Sequence, residues 1–185
     1  MQTLDILPDN LPIPSDDGDC LHLIGARLPS TSLKSTDSTN TNLALIKGWL
    51  VVYCYPMTGQ PNKSLPEGWD EIPGARGCTP QSCNFRDNHQ NFTELSTQVY
   101  GLSTQSSGHQ LEAVNRLHLP YALLSDNQFQ MADALKLPTF EVNTMRLIKR
   151  VTLIIFDGVI KHYFYPVFPP DKNADEVITW LKQNA

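Results

Sequence analysis

Two cysteines five positions apart, Cys78 and Cys83, are the residues of this sequence best suited to chemistry. The chain carries four cysteines in 185 residues. A structural disulfide framework is typical of small secreted domains, and the first residues lack the positive region and apolar run of a secretory signal. We therefore expect that thiols of this chain react or bind metal and do not form structural disulfide bonds.

The residues after Cys78 predict that this cysteine lies at the start of a helix. Phe85, Phe92 and Leu95 recur at roughly helical spacing, which indicates a helix over residues 79–96. The thiolate is the nucleophilic form of cysteine, and the positive end of a helix dipole with its unpaired amides favours that form. The sequence thus predicts an activated nucleophile at Cys78.

The spacing of Cys78 and Cys83 has a mechanical consequence. Five residues of intact helix rise about 7.5 Å, which separates the alpha-carbons beyond the roughly 4.4–6.8 Å that a disulfide requires. A disulfide between these two residues would therefore unwind the first turns of the helix. The spacing alone leaves two alternatives open. The pair could be half of a zinc site, although C-x2-C is the more usual spacing there. The two cysteines could also be buried residues that take part in no chemistry.

Alternating strand and helix signals predict the elements that position the pair. Residues 50–55 read as a strand buried on both faces and ended by Pro56. Residues 150–156 and 159–165 flank Asp157-Gly158, a strong hairpin signal. Further strands are predicted at 99–103 and 121–124, helices at 108–118, 127–135 and 174–183, and a loop or strand edge at 29–42. The pattern predicts one α/β domain over residues 1–185, with a thioredoxin-like mixed sheet flanked by helices.

Charge and hydropathy narrow the classes of function. The net charge is −5, and lysine and arginine are scattered, which gives no footprint for nucleic acid or anionic lipid. No apolar run approaches the roughly 20 residues of a membrane helix. We expect a soluble, cytoplasmic protein with small-molecule or protein partners.

The segment around the cysteines resembles a known family. Residues 77–87 read GCTPQSCNFRD and are similar to the active-site pattern G-C-T-x-E-x-C-x-F-R-D of the Q-type peroxiredoxins, also called bacterioferritin comigratory proteins. Tyr55-Pro56, residues 119–126 (LPYALLSD) and residues 150–154 (RVTLI) resemble other segments of that family in the same order.

The resemblance implies peroxide reduction on a thioredoxin-like fold, without a metal or organic cofactor. It makes Cys78 the peroxidatic cysteine, Cys83 the resolving cysteine, and Arg150 the guanidinium that holds the thiolate anionic and polarises the peroxide. Gly77, Thr79 and Gln81 would border the substrate pocket. The reductant would be a thioredoxin- or glutaredoxin-like protein, and the chain would be a monomer or a homodimer.

Three departures from the family pattern stand out. Ala75 occupies the position of a threonine three residues before the cysteine, and Gln81 stands where the family often has glutamate. An insertion at about 57–77 separates Pro56 from Cys78. If the insertion loops out and returns, Thr58 could supply the missing hydroxyl. The insertion itself could be a lid, a substrate collar, a reductase-docking surface or an ordinary surface loop.

Two other functions compete with peroxidase activity. The same disulfide could serve a redox sensor or binding module that oxidises once without turnover, and Ala75 favours this alternative slightly. A thiol–disulfide oxidoreductase acting on proteins ranks last, because the C-x-x-C motif is absent.

Overall fold

A seven-stranded mixed sheet forms the centre of the molecule, in a computed structural model that describes Leu4 and residues 6–185. The strands of the chain are β1 (Leu33–Ser35), β2 (Asn40–Thr41), β3 (Trp49–Cys54), β4 (Thr97–Ser103), β5 (Leu123–Ser125), β6 (Thr139–Val142), β7 (Met145–Ile148), β8 (Val151–Phe156) and β9 (Val159–Phe164). The sheet order is β2-β1-β5-β4-β3-β8-β9. Strands β3, β4 and β5 are parallel, and β8 pairs antiparallel with both β3 and β9. The predicted thioredoxin-like mixed sheet is confirmed.

Strand β3 separates two hydrophobic clusters. Leu50, Val52 and Cys54 pack on one face of the sheet, whereas Val51 and Tyr53 pack on the other. Successive side chains of a strand point to opposite faces, so a strand covered on both faces must be apolar throughout. This requirement explains the continuous run of large side chains that predicted the strand.

Among the described residues, five α-helices cover the sheet. They are α1 (Cys78–Asp87), α2 (His89–Glu94), α3 (Ser107–Leu117), α4 (Gln130–Ala134) and α5 (Asn173–Asn184). Helices α1, α3 and α5 bury apolar side chains in the cluster around Val51 and Tyr53, and α4 buries Met131 and Ala132 in the other cluster. The helix that carries Cys78 and the C-terminal helix therefore share one face of the sheet.

The prediction of one continuous helix over residues 79–96 is wrong. Helix α1 ends at Asp87 and α2 begins at His89, with Asn88 between them. The Asn88 side-chain amide donates to the carbonyl of Asn84 at 3.0 Å, the same carbonyl that accepts from the Asn88 backbone N–H. Asparagine competes in this way for backbone groups and weakens a helix interior.

The sequence analysis missed the β6–β7 hairpin. Its turn contains Asn143 at a φ of 53°, a left-handed conformation that asparagine tolerates without the Asn-Gly pair on which hairpin prediction depends. Val142 and Leu147 of the hairpin pack with Trp69 and Ala75 in a third cluster. The hairpin thus supports residues 57–77, the segment predicted to be an insertion, whose described secondary structure is a short 3-10 turn at Trp69–Glu71.

None of the helices in the described part of the chain has the length and apolar character to cross a membrane.

Candidate active site

Cys78 is the first residue of α1 and is buried, with 4% of its surface exposed. Gly77 caps the helix at a φ of 104°, a left-handed conformation that residues other than glycine rarely adopt. The first backbone amides of a helix have no partner within it and carry partial positive charge. The predicted position of Cys78 at a helix N-terminus is therefore found, one residue earlier than the helix start predicted from sequence.

A Gly77→Ala variant is expected to lose about 2–4 kcal/mol of unfolding free energy, because left-handed backbone and overpacking each cost stability. A Cβ at this position would clash with Cγ of Pro170 and lie 2.8 Å from Cδ2 of Leu7. Gly108→Ala is the matched control, since nothing lies within 4 Å of a Cβ there and alanine favours helix. Urea unfolding of both variants measures the difference, and equal midpoints would contradict this account of Gly77.

Arg150 places its guanidinium against the Cys78 sulfur. Its Nη2 lies 3.2 Å from Sγ and also contacts the carbonyls of Gly74, Ala75 and Arg76 at 3.3, 3.2 and 3.2 Å. Arg150 is only 3% exposed, so water screens its charge weakly. A fixed cation at this distance stabilises a thiolate and donates hydrogen bonds to an oxygen bound at the sulfur.

A buried polar network holds the other side of the guanidinium. Arg150 Nη1 donates to Gln81 Oε1, and Gln81 Nε2 donates to Asn173 Oδ1 at 3.0 Å. Thr152 Oγ1 donates to the same Asn173 oxygen at 2.6 Å. Gln81 therefore positions Arg150, and its amide supplies an N–H donor that the family's glutamate lacks when ionised.

Asn173 is a site residue that sequence reasoning missed. It is fully buried at the start of α5, where a polar side chain ordinarily serves as an exposed helix cap. Next to it, Asn84 Oδ1 accepts from the Ala174 N–H at 2.7 Å. Together these contacts tie the N-terminus of α5 to the first turns of α1.

Cys83 lies in the second turn of α1 and is half-buried. The helix beneath it is held by two tyrosines, because Tyr121 donates to the Ser82 carbonyl at 2.8 Å and Tyr53 donates to the Ser82 hydroxyl at 3.1 Å. All four cysteines are present as thiols. Joining Cys83 to Cys78 would break these contacts as the helix unwinds.

The remaining two cysteines lie in a different environment. Burial raises the pKa of the Cys54 thiol far above its usual range and that of Cys20 to about 12. Both thiols therefore stay protonated at neutral pH and are poor nucleophiles. Among the described residues, no cluster of three or more histidine, cysteine or acidic side chains could bind a metal, so zinc ligands for Cys78 and Cys83 are not found there.

Thr58 lies in the insertion and is fully buried, but its hydroxyl donates to Gln105 Oε1 at 3.1 Å. The Thr58 carbonyl is held by Gln105 Nε2 at 3.1 Å and by His109 Nε2 at 2.9 Å. These contacts anchor the start of the 57–77 segment to α3 and to the loop before that helix. They turn the hydroxyl toward Gln105.

The two arginines nearest in sequence have other partners. Arg76 pairs with Asp70 at 3.4 Å, and its carbonyl accepts from Arg150. Arg86 donates to Asp87 at 2.8 Å and to the Leu117 carbonyl at 2.9 Å. The cation at the sulfur thus comes from Arg150, the residue before β8, which is distant in sequence from Cys78.

A small pocket of about 10 Å³ adjoins Cys78, and we call it the inner pocket. Gly77 and Thr79, both predicted to border the substrate, line it together with Leu4, Leu65 and Trp69. Gln81 faces Arg150 and Asn173 instead. The space at the sulfur is about that of one water molecule.

A family model described as Redoxin matches residues 23–178, which is most of the chain. This chain belongs to the redoxin family. Within that family it is a Q-type peroxiredoxin, since it is 31% identical over 160 residues to "Peroxiredoxin Q, chloroplastic" of Suaeda salsa. The match covers 85% of this chain and 67% of the plant protein.

Further relatives of this peroxiredoxin support the same family assignment. "Peroxiredoxin Bcp" of Bacillus subtilis is 30% identical over 112 residues, which cover 60% of this chain and 62% of that protein. The fold is shared with the peroxidoxin BcpB of Mycobacterium tuberculosis, at a TM-score of 0.72 and 24% identity, covering 88% of this chain and 97% of that one. Peroxiredoxin Q of Xanthomonas campestris aligns at a TM-score of 0.69 and 22% identity, covering 85% and 95%. As a peroxiredoxin the chain is a thiol-dependent peroxidase, and the redox-sensor alternative is not favoured.

Proposed function

We propose that this peroxiredoxin reduces hydrogen peroxide and organic hydroperoxides at Cys78. The observation that carries the proposal is the 3.2 Å contact between Arg150 Nη2 and the Cys78 sulfur at a helix N-terminus. The thiolate attacks one peroxide oxygen, the O–O bond breaks, and the leaving oxygen takes a proton to become water or an alcohol. Cys78 is left as a sulfenic acid. Arg150 stabilises the negative charge before attack and during bond breaking.

Cys83 resolves the sulfenic acid in the second half of the cycle. Its thiol attacks the Cys78 sulfur, a disulfide forms, and the sulfenic oxygen leaves as water. Because intact helix holds the two alpha-carbons too far apart, the first turns of α1 unwind. The hydrogen bonds from Gln81 to Asn173 and from Tyr121 to Ser82 then break, and reduction by an external dithiol restores them.

The test is peroxide consumption by the purified protein with a thioredoxin system, with disulfides mapped by mass. Wild type is expected to turn over many equivalents of peroxide and to yield a Cys78–Cys83 disulfide. Cys83→Ser is expected to react once per chain and then stall as the sulfenic acid, because no neighbouring thiol displaces the oxygen.

Two outcomes would contradict these roles. Stoichiometric oxidation of wild type without turnover would favour the redox-sensor alternative. An unchanged helix at residues 78–83 in a sample with a proven Cys78–Cys83 disulfide would remove the unwinding step.

The hydroxyl role of Thr58 remains a prediction, and its contacts give it little support. The hydroxyl donates to Gln105, and it does not line the inner pocket as described. The Cys78 thiol donates to the carbonyl of Ala75 at 3.6 Å, and a carbonyl has no proton to donate to a peroxide. Arg150 then supplies the donors for the peroxide.

The remaining features of this proposal concern partners and organisation. A thioredoxin- or glutaredoxin-like dithiol acts as the reductant, and the chain acts as a monomer or homodimer. Residues 1–185 form one peroxiredoxin domain with an insertion at about 57–77. A cytoplasmic location is proposed in contrast to the plant relatives, whose names mark them as chloroplastic. Cell fractionation and size-exclusion chromatography test these points.

A further inference from the structure

Leu4 of the N-terminal segment and two residues of the 57–77 segment form a wall between two spaces of very different size. On one side lies the inner pocket of about 10 Å³ at Cys78. On the other lies a cavity of about 910 Å³, which we call the outer cavity, bordered by residues 60–66, by residues 68–71 and by Arg116 and Leu117 of α3. Leu4, Leu65 and Trp69 line both spaces. These three side chains are therefore the wall.

Two leucines of the wall close against the backbone at Gly59. A Cβ placed on Gly59 would lie 2.8 Å from Cδ2 of Leu4 and 3.1 Å from Cδ2 of Leu65. Gly59 itself lines the inner pocket. The absence of a side chain there lets Leu4 and Leu65 approach the backbone closely, which leaves Cys78 with 4% of its surface exposed.

The wall is held in place near Gly59 and at Trp69, and it is held less firmly between these two residues. Arg116 Nη2 donates to the Gly59 carbonyl at 3.0 Å, and the contacts of Thr58 fix the preceding residue. Trp69 is 3% exposed and packs near Phe140 of the β6–β7 hairpin, with ring centroids 6.2 Å apart. Leu65 is only partly buried between these two anchors. Leu4 is partly buried as well, so the two leucines cost less to displace than Trp69, and of the two only Leu65 belongs to the 57–77 segment.

We propose that Leu65 determines the size of the peroxide that reaches Cys78, so that the insertion acts as a collar selecting hydrogen peroxide over bulky organic hydroperoxides. This inference rests on the proposed peroxidase function. A molecule the size of hydrogen peroxide occupies the inner pocket after small adjustments, since the pocket is about as large as one water. A hydroperoxide with an aromatic body must push Leu65 away from the wall and place its body in the outer cavity.

The experiment compares kcat/KM for hydrogen peroxide and cumene hydroperoxide in wild type and in Leu65→Ala, with a thioredoxin system as reductant. Wild type is expected to prefer hydrogen peroxide by about tenfold or more, because a bulky substrate must expose a packed leucine. Leu65→Ala joins the two spaces and is expected to lower that preference about tenfold, mainly by raising the rate with cumene hydroperoxide.

Two control variants distinguish an effect of side-chain size from an effect of unfolding. Leu65→Met keeps the volume of the side chain and is expected to retain the wild-type preference. Leu45→Ala removes a leucine that is 70% exposed and lies outside the wall, and it is expected to leave the preference unchanged. If Leu65→Ala unfolds, the smaller change Leu65→Val is expected to shift the preference in the same direction.

Equal rates for the two peroxides in wild type would overturn the inference, as would a preference unaltered in Leu65→Ala and Leu65→Val. A different result is expected if the proposed peroxidase function itself is wrong. Wild type would then turn over neither peroxide, which would overturn both statements together.

Discussion

A Cys78→Ser variant is expected to consume peroxide no faster than buffer. Serine keeps the shape of the side chain, but its hydroxyl is not ionised near neutral pH and cannot form a sulfenic acid. The guanidinium of Arg150 would still be present 3.2 Å from the position of the sulfur, so the electrostatic environment is retained. The measurement is hydrogen peroxide consumption with a thioredoxin system, together with disulfide mapping by mass.

Cys20→Ala is the matched control for this substitution. Cys20 is also buried, and its thiol pKa of about 12 keeps it protonated in the working range. The control is expected to stay within about twofold of the wild-type kcat/KM, because it removes a thiol that takes no part in the reaction. Sustained turnover by Cys78→Ser would assign the chemistry to another residue, with Cys83 the first candidate.

An Arg150→Met variant is expected to react with peroxide roughly 10- to 150-fold more slowly, which corresponds to the loss of one hydrogen bond to a charged group. Methionine fills similar space but offers neither charge nor donors to the Cys78 sulfur. It also removes the Arg150 hydrogen bonds to Gln81 Oε1 and to the carbonyl of Ala75. The measurement is the second-order rate constant for Cys78 oxidation by stopped flow.

Arg150→Lys separates charge from geometry. Lysine keeps the positive charge, but one ammonium cannot reproduce the planar fork that reaches both Gln81 and the sulfur. Its rate is expected to fall between those of wild type and Arg150→Met. The control is Arg146→Met, because Arg146 pairs with Asp133 at 2.7 Å on an exposed surface and such pairs contribute little. A folded Arg150→Met variant with a rate near wild type would remove Arg150 from the mechanism.

The sequence by itself determined much of the fold and singled out the two cysteines of the candidate site. The continuous apolar run at 50–55 could only be a strand covered on both faces, because alternation of side chains leaves no exposed face. The Asp157-Gly158 pair located the β8–β9 hairpin, since that turn needs residues with positive φ, and both residues have one. Gly77-Cys78-Thr79-Pro80 placed the cysteine at a helix start. These signals are local, so a single segment carries each of them.

Other features were decided by the tertiary structure. The contacts of Arg150 with Cys78 and Gln81 join segments that are 72 and 69 residues apart. Asn173 lies 92 residues from Gln81, and its burial follows from the packing of α5 on α1. The orientation of Thr58 toward Gln105 and the wall formed by Leu4, Leu65 and Trp69 depend on how the insertion folds back. Local propensity carries no information on such contacts, because they arise only when packing against the sheet brings distant segments together.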